Sequence, residues 1–308
     1  MNTISEQYFA ELKKRIDALG EKPTEEELNI IASQVMAEIN ERARKRDVDA
    51  ESLNEYDYLE MAAEAKTLKA KREYLTKGLE IAPDNIDLKR ELMLIEKLTP
   101  VEKLKAIDKL IDEAAAEIER DNGFKEYAGM FWGVLETRPF MRLRMDRFLQ
   151  MYQMGMFSQA INEGKDMLKL STNDNLGVRY FLVFLYALRE DGQAMERLIK
   201  KYEMEKSIAA MLAEAVLYYK RCDFDRAAVK LNEICKAVKG AIGVFHDLSG
   251  IDELYLPIEH EFDFYMMNSP QELLATIFDN APVFQSMQGF FKWAYAAVKI
   301  KKSGKGIK

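Results

Sequence analysis

The sequence predicts an all-α fold, on three observations. Glycine and proline are scarce, 15 and 7 among 308 residues, whereas a turn-rich β fold needs both. Each proline (Pro23, Pro83, Pro100, Pro139, Pro257, Pro270 and Pro282) stands where a helix can begin or has just ended. Between them apolar residues recur at three and four, as in Leu104, Ile107, Ile111, Ala115 and Ile118, or Met141, Met145, Phe148 and Tyr152, the spacing of one helical face.

Taken in order, the first expected element is a helical pair over 3–46. Thr24 stands three residues before Glu27, a capping box in which hydroxyl and carboxylate satisfy each other's free backbone amides. A charged connector, RKRDVDAES, follows. Paired helices are expected over 52–239; Thr99 with Glu102 caps the long helix EKLKAIDKLIDEAAAEIER. The stretch from Tyr180 to Leu188 has no charge and no breaker; the cap-rich STNDN before it and the polar REDGQAMERLIKKY after it make it a buried helix rather than a buried strand. From AIGVFHDLSG onward the chain turns aromatic and loop-rich. Two closing helices follow, the first capped by Ser269 with Glu272. The expected divisions are an N-terminal helical pair at 1–48, a helical-repeat domain at 49–240, a C-terminal helical cap at 241–300 and a basic tail at 301–308.

Charge narrows the partners. The net charge of -7 sits in residues 1–60, with 15 Asp/Glu against 8 Lys/Arg, and the remainder is balanced. That argues against a broad nucleic-acid footprint. No apolar run approaches the ~20 residues of a membrane helix, and MNTISEQYFAELKKR lacks the apolar core of a signal peptide. Cys222 and Cys235 form no CxxC and are expected as reduced, buried thiols in a cytoplasmic protein.

Three segments align: MGMFSQAINEGKDML, REDGQAMERLIKKY and RCDFDRAAVKLNEI. Their register alanines, Ala160, Ala194 and Ala227, are 34 and 33 apart, and a period near 34 is that of the tetratricopeptide repeat. A methyl group at such a position lets two helices approach closely. The chain resembles the tetratricopeptide-repeat (TPR) family. More narrowly, FWGVLETRPFMRLR and LKLSTNDNLGVRYFL are similar to a bacterial branch with TRPYMR and NPNDNQGVRY segments, over roughly 52–300. Here Phe140 replaces the tyrosine, Ser171 and Thr172 replace Asn-Pro, and Leu176 replaces glutamine. The resemblance implies a right-handed superhelical array and a binding scaffold rather than a catalyst.

The alanine register yields a candidate groove: Arg142, Met145, Leu149 and Tyr152 in the first unit, Arg179, Val183 and Tyr186 in the second, Leu212, Val216 and Tyr219 in the third. The three tyrosines would form a ladder suited to an extended peptide. Arg142 and Arg179 would meet an acidic segment or a free C-terminus through guanidinium forks. Structural roles stand beside each: Arg142 pairing with Asp146 on one helix, Arg179 held by Asp174, tyrosines packing between repeats. Arg138, Arg142, Arg144 and Arg147 spread over several helical faces and are expected to pair internally, with Glu136 and Asp146. The six methionines from Met130 to Met156 are expected as core.

The leading expectation is therefore a non-catalytic protein–protein interaction scaffold that binds a protein or peptide segment, with no cofactor, no metal and neither nucleic acid nor membrane as partner. A peptide-responsive regulator with DNA- or partner-binding N-terminal helices is the second. The third is an enzyme using Glu259, His260, Glu261 and Asp263; the histidine spacing fails every paired-histidine metal motif.

Overall fold

The computed structural model describes residues 3–20, 23–45, 53–120, 122–257 and 264–302. They form seventeen α-helices, with no strand among them. An isolated antiparallel bridge joins Met130 and Ser171. No helix among the described residues is long and apolar enough to cross a membrane.

The helices start where the sequence marks them. Thr24 and Glu27 bond reciprocally before α2 (Glu25–Lys45), and Thr99 and Glu102 before α6 (Pro100–Arg120). At α15 (Pro270–Asp279) the box is modified. Ser269 Oγ accepts from the Glu272 amide, but the Glu272 carboxylate accepts from the amide of Asn268 instead. A fourth box, Asn54 with Asp57, opens α3 (Glu55–Glu64). The connector residues 46–52 and the tail residues 303–308 lie outside the described residues.

The chain divides into two compact units. The first is residues 1–150 with 169–173; the second is 151–168 with 174–308. The boundary falls inside α8 (Arg138–Gln153), within the stretch expected as one repeat domain, and the expected C-terminal cap belongs to the second unit.

In the first unit α1 (Thr3–Leu19) packs on α2 and α3, and α3, α4 (Leu68–Ile81), α5 (Ile86–Leu94) and α6 pack in succession. Leu59, Ala62, Leu75 and Leu88 form a buried cluster. Gly78 allows this approach: a Cβ there would lie 2.8 Å from Leu88 Cδ2 and 3.1 Å from Tyr58 Cβ. On α6 the buried line is Ile107, Leu110, Ala114 and Ile118, one face of a 3.6-residue helix. A short helix, α7 (Gly123–Glu126), leads to a cluster of Phe124, Phe131 and Phe140.

The second unit contains hairpins of successive helices. In chain order these are α9 (Phe157–Leu170), α10 (Arg179–Leu188), α11 (Gly192–Lys201), α12 (Ile208–Lys220) and α13 (Phe224–Ala237), followed by α14 (Ala241–Leu248), α15, α16 (Ala281–Gln285) and α17 (Phe290–Lys302). α10 packs on α11 and α12, and α12 on α13. Gly164 brings α9 close to α10, where a Cβ would meet Leu182 Cδ2 at 2.9 Å. Tyr180–Leu188 is helical as expected, with Leu182 to Ala187 buried.

Candidate functional site

Three connections of the second unit are built alike: 154–156, 189–191 and 221–223. The middle residue of each is left-handed: Gly155 (φ 73°), Glu190 (φ 58°) and Cys222 (φ 58°). The residue after it returns its amide to a carbonyl five positions back, Met156 to Met151, Asp191 to Tyr186 and Asp223 to Tyr218, each at 2.9 Å. This is the Schellman closure that satisfies the last carbonyls of a helix. The next helix begins at 157, 192 and 224. The true repeat spacing is therefore 35 and then 32, not 34 and 33.

Both pairs of spacings add up to the same length, so the outer units are in register and the middle one is off by one. The counterpart of Ala160 and Ala227, both fully buried, is Met195; Ala194 is only half-buried. The counterpart of Tyr152 and Tyr219 is Ala187. Tyr186 aligns instead with Met151 and Tyr218. One residue turns a side chain by about 100° on a helix, so the three expected tyrosines do not form one ladder.

Nor do they line an open groove. Tyr152 is 1% exposed. Its hydroxyl donates to Asn280 Oδ1 at 3.0 Å, and Phe181 meets its ring edge-on. Burial holds that hydroxyl well above the usual tyrosine range. Tyr219 is half-buried against Phe224, Phe290 and Trp293. Val183, Leu212 and Val216 have no exposed surface, and Tyr186 is buried. Met145 and Leu149 are half-buried on α8. The physical reason lies in the closing helices. α15 packs on α12, α16 on α10 and α17 on α13, with Phe184 against Phe284. The aromatic stretch from Phe284 to Trp293 has to bury itself, and this face is where it does so.

The arginines are held internally. Arg142, in the first unit, donates Nε to Asp87 Oδ1 at 2.8 Å and Nη2 to Asp87 Oδ2; Nη1 donates to Glu6 at 2.8 Å. Arg142 and Asp87 are 8% and 6% exposed. Burial pushes the Asp87 carboxyl up, against the pull of Arg142. Asp146, the expected partner of Arg142, takes Arg90 instead at 2.5 and 2.9 Å, and Glu136 takes Lys13. Arg147 reaches Asp108, and Arg138 reaches the carbonyl of Trp132. Thr137 Oγ1 donates to the carbonyl of Phe131, so the TRPFMR stretch is bound up in tertiary bonds. A cavity of about 530 Å³ beside this cluster is lined by Glu6, Asp87, Arg142 and Tyr56; burial pushes the Tyr56 hydroxyl up to about 12.

In the second unit Arg179 donates Nη1 to Asp174 at 3.0 Å. Asp174 is left-handed (φ 50°), and its carboxylate accepts from the amides of Val178 and Arg179 at 2.8 and 2.9 Å. NDNLGVRY thus builds the start of α10.

Glu259, His260, Glu261 and Asp263 lie outside the described residues. Among the described residues no three His, Cys, Asp or Glu side chains are grouped to hold a metal. Cys222 is exposed at its turn, contrary to expectation, and Cys235 is half-buried. Among the methionines, Met141 and Met151 are buried and Met130 is 58% exposed.

The alanine register missed two clefts on α9 and α11. One, of about 230 Å³, is lined by Ser158, Lys165, Tyr186 and Arg189; the other, of about 710 Å³, by Gln193, Lys200, Tyr218 and Arg221. In the turn register these are the same four positions. No family model matches the chain, and neither a curated protein nor a solved structure matches it at a significant level.

Proposed function

We propose that the protein is a non-catalytic interaction scaffold, built on a TPR-like right-handed array and recognising protein segments on its outer surface. The observation that carries this reading is the threefold recurrence of one turn at 154–156, 189–191 and 221–223. A repeated hairpin presents the same surface positions again and again, which suits extended partners.

In this reading the face of α10 and α12 that would receive a partner is covered by the chain's own α15 and α16, while α17 packs on α13. Uncovering Phe284, Phe290 and Phe291, all fully buried, costs about 5–9 kcal/mol at about 1.5–3 kcal/mol per side chain. A partner would have to supply that energy before gaining anything. Recognition therefore falls to exposed positions of the hairpins.

The test is cross-linking of the tagged full-length chain to its captured partners, with the linked lysines identified by mass spectrometry. Links concentrated on α9 and α11 are the expected result. Specific partners linked only through α15–α17, or no partner above the background of an unrelated bait, would reject the reading.

A further inference from the structure

We infer that the two equivalent clefts on α9 and α11 are successive anchor sites for carboxylate side chains of one extended, acidic protein segment. This rests on the scaffold reading above and names the partner's chemistry.

The clefts repeat their chemistry, not only their position. Lys165 corresponds to Lys200, Tyr186 to Tyr218 and Arg189 to Arg221. Each guanidinium is fixed by a neutral group: Arg189 by Ser158 Oγ at 3.1 Å, Arg221 by the carbonyl of Glu190 at 2.6 Å. The backbone makes room for the second. A Cβ on Gly192 would lie 3.2 Å from Arg221 Nη2, whereas the equivalent positions carry Phe157 and Phe224. Lys165 lies 5.8 Å above the Tyr186 ring.

Among the described residues these four cations are not taken up by the chain's own carboxylates. Arg90, Arg142, Arg147 and Arg179 all have carboxylate partners. Lys165, Lys200, Arg189 and Arg221 have none among the described residues. Each cleft thus sets a lysine and an arginine beside a tyrosine, a donor set matched to a carboxylate. The first cleft is the stronger anchor. Its one acid, Asp191, already accepts from the Ala194 amide. In the second, Glu214 is taken by Lys230, but Glu196 and Glu205 also line the wall. The series stops there: the third hairpin has Asn232 at the lysine position, donating to the Ala228 carbonyl.

α10 and α12, whose C-terminal ends carry the tyrosine and arginine of the two clefts, pack on each other; packed helices lie about 8–10 Å apart, and an extended chain advances about 3.3 Å per residue. The fitting segment therefore carries acids about three residues apart. Fluorescence anisotropy of the purified full-length chain tests this. The reagents are a labelled Gly/Ser dodecapeptide with two glutamates three residues apart and its Gln/Gln counterpart, at low and high salt. The Glu peptide should bind, weaken at least tenfold in high salt, and exceed the Gln peptide at least tenfold. R189A/R221A should lose at least tenfold. Because those arginines also hold the turns, K165Q/K200Q, which removes charge without removing such a bond, should lose several-fold. Equal binding of both peptides, wild-type affinity in K165Q/K200Q, or displacement by a single-stranded oligonucleotide at equal concentration overturns the inference. If the peptide fails while cross-linked partners persist on other faces, the anchor sites fall and the scaffold stands. If both fail, both readings fall.

Discussion

The two units solve the same problem with different interiors. Both stack short helices. The first unit threads charge through its packing: Arg142 between Asp87 and Glu6, Arg90 on Asp146. The second also buries carboxylates, Glu163, Asp174 and Glu253, but it sets them beside packed rings, with Phe184, Phe284, Phe290 and Phe291 fully buried and Tyr152 bonded to Asn280. Ion pairs demand one geometry and punish the loss of either member. Aromatic packing penalises lost volume. The units should therefore respond differently to pH, salt and truncation.

The largest expected effect is in the first unit. Arg142→Met leaves Asp87 buried without its fork and should cost about 3–5 kcal/mol. The sign with pH is specific. Burial already raises Asp87, and a carboxyl with a raised folded pKa contributes stability below its unfolded pKa and loses it as pH rises. The variant should thus be weakest near neutral pH and recover as the buffer is acidified from neutral down to the usual carboxylate range, followed by urea denaturation. A loss that is the same at all pH values would mean that Arg142 acts by packing alone.

In the second unit Phe290→Ala should cost about 3–5 kcal/mol, with little dependence on pH or salt. Hydrogen exchange read separately over the two units checks that the loss is confined to α12, α13 and α17. Strong salt dependence there would break the contrast.

Smaller effects test the turn register. Gly155→Ala should destabilise by about 1 kcal/mol, while Glu190→Gly and Cys222→Gly should each stabilise by a similar amount, since only glycine enters the left-handed region without strain. Opposite signs at equivalent positions, measured as thermal midpoints, would confirm the 35 and 32 spacing. The same sign at all three would undo it.

The smallest effect is at the caps. Bonds from the Thr99 backbone and hydroxyl hold Glu102 below the usual range, and Thr24 does the same for Glu27. A depressed carboxylate contributes stability above its unfolded pKa and loses it as pH falls through the folded one. Acid titration of helicity should therefore lose a small component below the usual glutamate range, and Glu102→Gln should remove part of that slope.

Helix identity was legible in the sequence because it is local. A hydroxyl and a carboxylate three residues apart close a box whatever surrounds them, so Thr24 and Thr99 mark helix starts unaided. Apolar spacing likewise marks α6 as a helix, but of the residues expected on its face only Ile107 and Ile118 are buried, with Leu110 and Ala114 in place of their neighbours. The middle repeat differs by one residue from the sequence register because Ala194 matches Ala160 in type while the backbone aligns Met195; a left-handed Glu190 or Cys222 carries no glycine signal to mark the turn. The candidate groove failed for a different reason. Tyr152, Val183 and Tyr219 read as groove residues, but their sequence positions do not state what covers them. Residues more than fifty positions later do, and that choice depends on burying Phe284, Phe290 and Trp293 somewhere. The partner of Arg142 belongs with these tertiary decisions. Asp146 was one helical turn away, yet Asp87 and Glu6 won because a buried fork needs coplanar acceptors, which only the packing of other helices brings together.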